Sequence, residues 1–118
     1  MTPQDVVDYH GNMTNSFASL QLPADVRARG NPVVELDSDN HQTCETWMIE
    51  TDLPFIEAIA RLSAFVRQHF RGSESTSMNI HAGSRKWTTT WSCAEQEITA
   101  QLISTGAGCE GYLRNACR

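Results

Sequence analysis

Glu35, Asp37 and Asp39 stand at alternate positions of the chain, and Glu45 follows a few residues later. If that stretch is extended, period two makes the first three carboxylates neighbours on one strand face. Such a row could take a hard cation or a basic protein partner, although a plain solvated strand surface is the simplest reading. Glu35, Asp37, Asp39 and Glu45 form the candidate partner-binding set.

A second group is aromatic. Trp87, Thr89, Trp91 and Cys93 share one face of a predicted strand that begins with Arg85 and Lys86. Aromatics beside cations can stack single-stranded nucleic acid, but the chain has only 9 Lys and Arg against 14 Asp and Glu. Phosphate contacts need a basic patch, so nucleic acid is not the expected partner. The tryptophans read first as core or interface residues, and alternatively His81, Trp87 and Trp91 would line an apolar ligand pocket.

The remaining motifs are weak. Gly106-Ala107-Gly108-Cys109-Glu110-Gly111 fits the dinucleotide pattern, yet only seven residues follow Gly111, too few for the helix and strand that pattern requires. It reads as a flexible link. His41 and Cys44 have the spacing of a zinc grip, but Cys109 and Cys117 are eight apart, a poor second half. No metal site and no cofactor is expected. His10, His69 and His81 could move protons, but nothing in the sequence completes a catalytic site around any of them. Gly-x-Ser-x-Gly, phosphate-loop, His-Glu-x-x-His and calcium-loop patterns are absent. Asn12-Met13-Thr14 is a formal glycosylation sequon inside a predicted helix, and is discounted.

These residues need a scaffold, and the composition supplies one. A chain of 118 residues, 40% hydrophobic and 19% charged, suits one ordered domain without obligatory disulfides. The first twenty residues are polar and acidic, lacking the basic flank and apolar core of a secretory signal. No segment approaches the roughly 18 apolar residues that span a bilayer. The expected location is the cytoplasm, with no membrane association, and there Cys44, Cys93, Cys109 and Cys117 are expected as buried reduced thiols. Net charge is −5: residues 1–58 carry ten acids against Arg27 and Arg29, residues 59–118 four acids against seven bases. If folding keeps the halves apart, the acidic side attracts a basic partner.

Thr2 as N-cap, Pro3 at the first turn, and Val6, His10, Met13, Phe17 and Leu20 at spacings of three and four predict an N-terminal helix. A short helical turn is expected over Pro23 to Arg29, closed by Gly30. Pro32 opens a half-buried strand with Val34 and Leu36 inward, and Cys44 to Thr51 returns as its hairpin partner. From Asp52 to Arg71, Phe55, Ile56, Ile59, Leu62, Phe65, Val66 and Phe70 form the apolar face of a long central helix that Gly72 stops. Thr76 to His81, Arg85 to Cys93 and Gln96 to Ser104 read as a three-strand meander, and the tail from Cys109 to Cys117 as a short docking helix. The order predicts a single α+β domain: a curved antiparallel sheet of about five strands around the central helix. It is compatible, in topology alone, with the cone-shaped fold of the nuclear-transport-factor-2-like superfamily, which hosts enzymes and binding modules alike.

The functional expectation is a small acidic protein-binding module: an adaptor, chaperone or inhibitor such as an immunity or anti-defence protein, with a basic protein as partner. A homodimer is compatible with the sequence. The alternative is a small enzyme or ligand binder with an apolar pocket between sheet and helix; no catalytic residue stands out, and a non-enzymatic role is favoured.

Overall fold

The computed structural model describes residues 21–81 and 83–117, with His81 described through its backbone alone. The expected N-terminal helix, Thr2 to Leu20, lies outside the described residues. The α+β class holds in its coarse form: among the described residues a predominantly antiparallel sheet carries one helix. The strands are β1 (Val26–Ala28), β2 (Val33–Leu36), β3 (Gln42–Thr51), β4 (Ser73–His81), β5 (Ser84–Ser92), β6 (Gln96–Ser104) and β7 (Cys109–Cys117), and the helix is α1 (Phe55–His69). Among the described residues the sheet has seven strands rather than about five, in the order β1-β3-β7-β6-β5-β4, with β2 also on β3. β1 and β2 share one edge of β3, opposite its C-terminal and N-terminal halves respectively.

Two elements differ from expectation. Pro23 to Arg29 is a turn, with the Val26 N–H on the Pro23 carbonyl at 3.0 Å, followed by the short strand β1. Val26 is buried there, while Arg27 and Arg29 reach acids on β3 and β7. The tail is not a helix but β7, wedged between β3 and β6. The four-residue spacing of Cys109, Leu113 and Cys117 fits period two as well as a helical face. Gly111 and Asn115 occupy the inward positions between them and hide the alternation.

α1 is shorter than the predicted span, at 15 residues. Its first bond runs from the Ala58 N–H to the Pro54 carbonyl, Glu57 sits in the first turn, and Arg67 and His69 in the last. Phe55, Ala58, Leu62, Phe65 and Val66 are buried from it, the three-and-four spacing of one apolar stripe. Gly72 does not stop the helix: Phe70 already adopts extended geometry. Its use is space, since a Cβ there would lie 2.6 Å from the Ser92 carbonyl oxygen.

The face of the sheet under α1 holds Ile49 on β3, Leu113 on β7, Ile98 and Leu102 on β6, and Trp87 and Trp91 on β5. The opposite face is polar, with Thr90 and Thr99 hydroxyls 3.4 Å apart and the Thr88 hydroxyl donating to Gln101. That is the division expected of an antiparallel sheet with one face in water. Among the described residues no helix is long and apolar enough to cross a membrane.

Candidate functional site

The predicted acidic row is taken apart by the way its hairpin folds. β2 runs only to Leu36, and its register against β3 shifts between Glu35 and Leu36. Glu35 therefore pairs with Cys44, and Val34 with Glu45, which puts Glu35 and Glu45 on opposite faces. Asp37 and Asp39 lie beyond the strand, in the turn. One Asp37 carboxylate oxygen accepts the Asp39 N–H at 2.8 Å and the His41 N–H at 2.9 Å. Those backbone donors, His41 foremost, hold the Asp37 carboxyl below its usual range. Asn40 completes the turn at φ 64°, a left-handed conformation that Asn tolerates.

The hairpin nevertheless gathers three of the four predicted acids at one exposed end of the sheet. Glu35 meets Arg114 at 3.8 Å, and Asp37 meets His41 at 3.7 Å. Both are long, exposed pairs of small energetic value. Asp39 forms no ion pair among the described residues. Asp37, Asp39 and His41 bring candidate ligand atoms within 4.8 Å of one another, but Asp37 already serves the turn.

Between these acids lies a feature that the sequence pattern did not foresee. Every residue of β2 is exposed, including Val33 at 60%, Val34 at 43% and Leu36 at 56%. The expected inward pair Val34 and Leu36 stays uncovered because β2 sits at the sheet margin. The result is an apolar ridge flanked by carboxylates.

Glu45, the fourth predicted acid, is 1% exposed and cannot meet a partner from the surface. Its carboxylate accepts the Asn115 amide at 3.2 Å and the Trp47 indole N–H at 3.4 Å. The Asn115 carbonyl oxygen in turn accepts the Gln96 amide at 2.6 Å. Asn115 and Gln96 are buried as well, and neither stood out in the sequence as more than a strand residue. Gln96 also lines an open cleft of about 360 Å³ with Gln68, His69, Phe70, Arg71, Cys93 and Glu95. A line of amides thus leads from a surface cleft to a buried carboxylate.

The other candidates are placed plainly. Trp87 and Trp91 are 2% and 1% exposed and meet edge to face, ring centroids 6.4 Å apart. Buried in this way, they offer no stacking platform to nucleic acid and belong to the core beneath α1. His81 pairs with Ser84 through the backbone at the end of β4. Cys44 and Cys109 lie at opposite ends of the β3–β7 pair, against Ala116 and Thr51. Seven residues of strand separate the two positions, about 23 Å, so the zinc set cannot assemble. None of the four cysteines forms a disulfide among the described residues; Cys44 and Cys109 are buried as expected, whereas Cys93 is only half-buried and Cys117, at the end of β7, is exposed. Burial pushes the Cys109 and Cys117 thiols up, and burial with the neighbouring Glu35 does so for Cys44, away from the reactive thiolate. The Gly106 to Gly111 stretch is the β6–β7 turn and the start of β7, not a phosphate loop.

Ion pairs also take up part of the charge asymmetry. Arg61 holds Asp25 at 2.8 Å, Arg27 reaches Glu50 and Asp52, Arg29 holds Glu110, and Arg67 grips Glu74 at 2.7 Å. Among the described acids of the first half, Asp25, Glu50 and Asp52 are matched in this way, two of them by the one Arg27. At the hairpin end Glu35, Asp37 and Asp39 remain loosely held.

Set against known proteins, the chain matches no family model, no curated protein and no solved structure.

Proposed function

We propose that the protein is a small protein-binding module that docks through the outer end of its β2–β3 hairpin. The observation that carries this reading is β2 itself, a strand whose every residue is exposed although three of them are large and apolar. Singly exposed apolar residues are ordinary, whereas a contiguous set rimmed by charge marks an interaction site. Glu35, Asp37 and Asp39 supply the rim. The matching partner has a narrow apolar groove that clasps β2 from both faces, bordered by arginines or lysines. An adaptor or inhibitor works in this manner without catalysis.

Quantitative pull-down from the source organism's lysate tests the proposal. Val34→Ser with Leu36→Ser is expected to lose a partner that the wild type retains, while Ile56→Ser, an exposed apolar change on α1, retains it. A capture profile identical in the hairpin variant and the wild type refutes the docking site. The substituted side chains are exposed, so the effect of each on folding is within about 0.5 kcal/mol.

A second reading is supported by one observation, the Gln96, Asn115 and Glu45 chain behind the cleft. Buried carboxylates among hydrogen-bond donors are a common device of ligand sites, and His69, Arg71 and Glu95 border this one. Under that reading, amino acids, amines or polyols offered as probes raise the melting temperature of the wild type, and Glu45→Gln, which keeps the shape, removes the shift. If no probe shifts the wild type, the chain of amides serves packing alone.

A further inference from the structure

The two margins of the sheet are built differently. On one, β1 and β2 are 3 and 4 residues long, β2 is shifted in register, and Pro23 and Pro32 stand close before them. These are the devices that blunt an edge. On the other, β4 runs for 9 residues against β5 without a register shift, and contains neither proline nor lysine. Ser73 to Ile80 are all exposed, and no strand pairs on the outer side of β4 among the described residues.

Backbone alternation shows which groups face outward. The Cys93 N–H bonds the Gln96 carbonyl at 2.9 Å, closing the β5–β6 turn. Counting back from it, Trp91, Thr89 and Trp87 bond toward β6, and the even-numbered residues of β5 toward β4. Through the register from Ser73 opposite Ser92 to His81 opposite Ser84, the odd-numbered residues of β4 are then engaged with β5. The N–H and C=O groups of Glu74, Thr76, Met78 and Ile80 point to the open margin. Met78 and Ile80 carry apolar side chains that are 49% and 74% exposed.

We infer that β4 is a self-association edge that pairs antiparallel with β4 of a second copy, about a two-fold axis through Asn79. That register sets Met78 opposite Ile80 of the second copy and Ile80 opposite its Met78, so both exposed apolar side chains gain apolar neighbours on one face. It satisfies the outward backbone groups of Met78 and Ile80 as well. A two-fold through Ser77 instead sets Ile80 against Glu74 and Met78 against Thr76, matching apolar with polar. Glu74, the one acid on β4, lies outside the Asn79-centred overlap and is gripped twice by Arg67, at 2.7 and 2.8 Å, so no like charges face each other. An isologous pair of this kind closes on itself and does not propagate. The contact from Ser77 to His81 is short, which makes the dimer weak and concentration-dependent. This surface is separate from the hairpin end, and the two succeed or fail independently.

Sedimentation equilibrium of the full chain from about 1 μM to about 1 mM tests the inference. The expected result is a monomer–dimer equilibrium that Ile80→Lys abolishes while circular dichroism shows the fold unchanged. Under oxidation, Asn79→Cys is expected to yield a covalent dimer, since the residue faces its own copy at strand-pair distance, and Ser77→Cys is not. A monomer throughout the range, association undiminished in Ile80→Lys, or cross-linking through Ser77→Cys in preference to Asn79→Cys overturns it.

Discussion

At Glu45 the direction of one side chain follows from a single shift of register. Counted along the sequence, Glu35, Asp37, Asp39 and Glu45 have the same parity, and a regular strand and turn would leave them together. The irregularity between Glu35 and Leu36 gives Glu35 the face of Cys44 instead, and Glu45 is turned under the sheet toward Asn115. Bulges of this kind have no clear signature in a single sequence, so the acids were legible as a group and the face of each was not. Gly111 is the converse case, a residue whose importance is steric. A Cβ at that position would run into the Gln101 carbonyl on β6, so the β6–β7 pair would have to part. Gly111→Ala is predicted to cost more than about 3 kcal/mol, measured by urea unfolding at neutral pH; a change under about 1 kcal/mol would show that the strands yield.

The elements differ in how openly they are written. α1 was readable because Phe55, Leu62, Phe65 and Val66 keep helical spacing over several turns, and β6 because Ile98, Ala100 and Leu102 alternate with polar residues between clear turns. β1 was not, since a three-residue strand is held by its partner rather than by its own pattern. β7 was missed because a glycine and an asparagine occupy its inward face. The ridge of β2 was misread for a related reason: alternation predicts a buried side, but whether anything covers that side depends on where the strand falls in the sheet. One link between elements makes a pH prediction. Arg67 on α1 holds the Glu74 carboxyl of β4 below its usual range. A carboxyl depressed on folding stabilises above its unfolded pKa of about 4.3, and that stabilisation is lost as pH falls through the folded value. The stability difference between wild type and Glu74→Gln, taken from urea midpoints, is therefore expected to be greatest near neutral pH and to shrink as pH falls through the folded value. A difference that stays constant across that range would deny the pairing any role.

For the molecule as a whole, charge and exposure separate. The net charge of −5 suggests an acidic attractant, yet Asp25, Glu50 and Asp52 are taken up by Arg61 on α1 and Arg27 on β1. Beside single exposed residues such as Met48 on β3 and Ile56 on α1, apolar side chains stay in water in two sets: Val33, Val34 and Leu36 on β2, and Met78 and Ile80 on β4. Both sets lie at the lateral limits of the sheet, where α1 gives no cover. The β2 ridge offers side chains within an acidic rim, and β4 offers an unblunted backbone edge. Recognition of a partner by the first calls for apolar contact together with opposite charge, and the two contributions can be separated by salt. The decisive measurement is the affinity of the captured partner for the purified protein, by calorimetric titration at rising salt. The hairpin account predicts affinity that weakens steeply with salt in the wild type and is lost in Val34→Ser with Leu36→Ser. Affinity indifferent to salt, or equal in the two proteins, would contradict it.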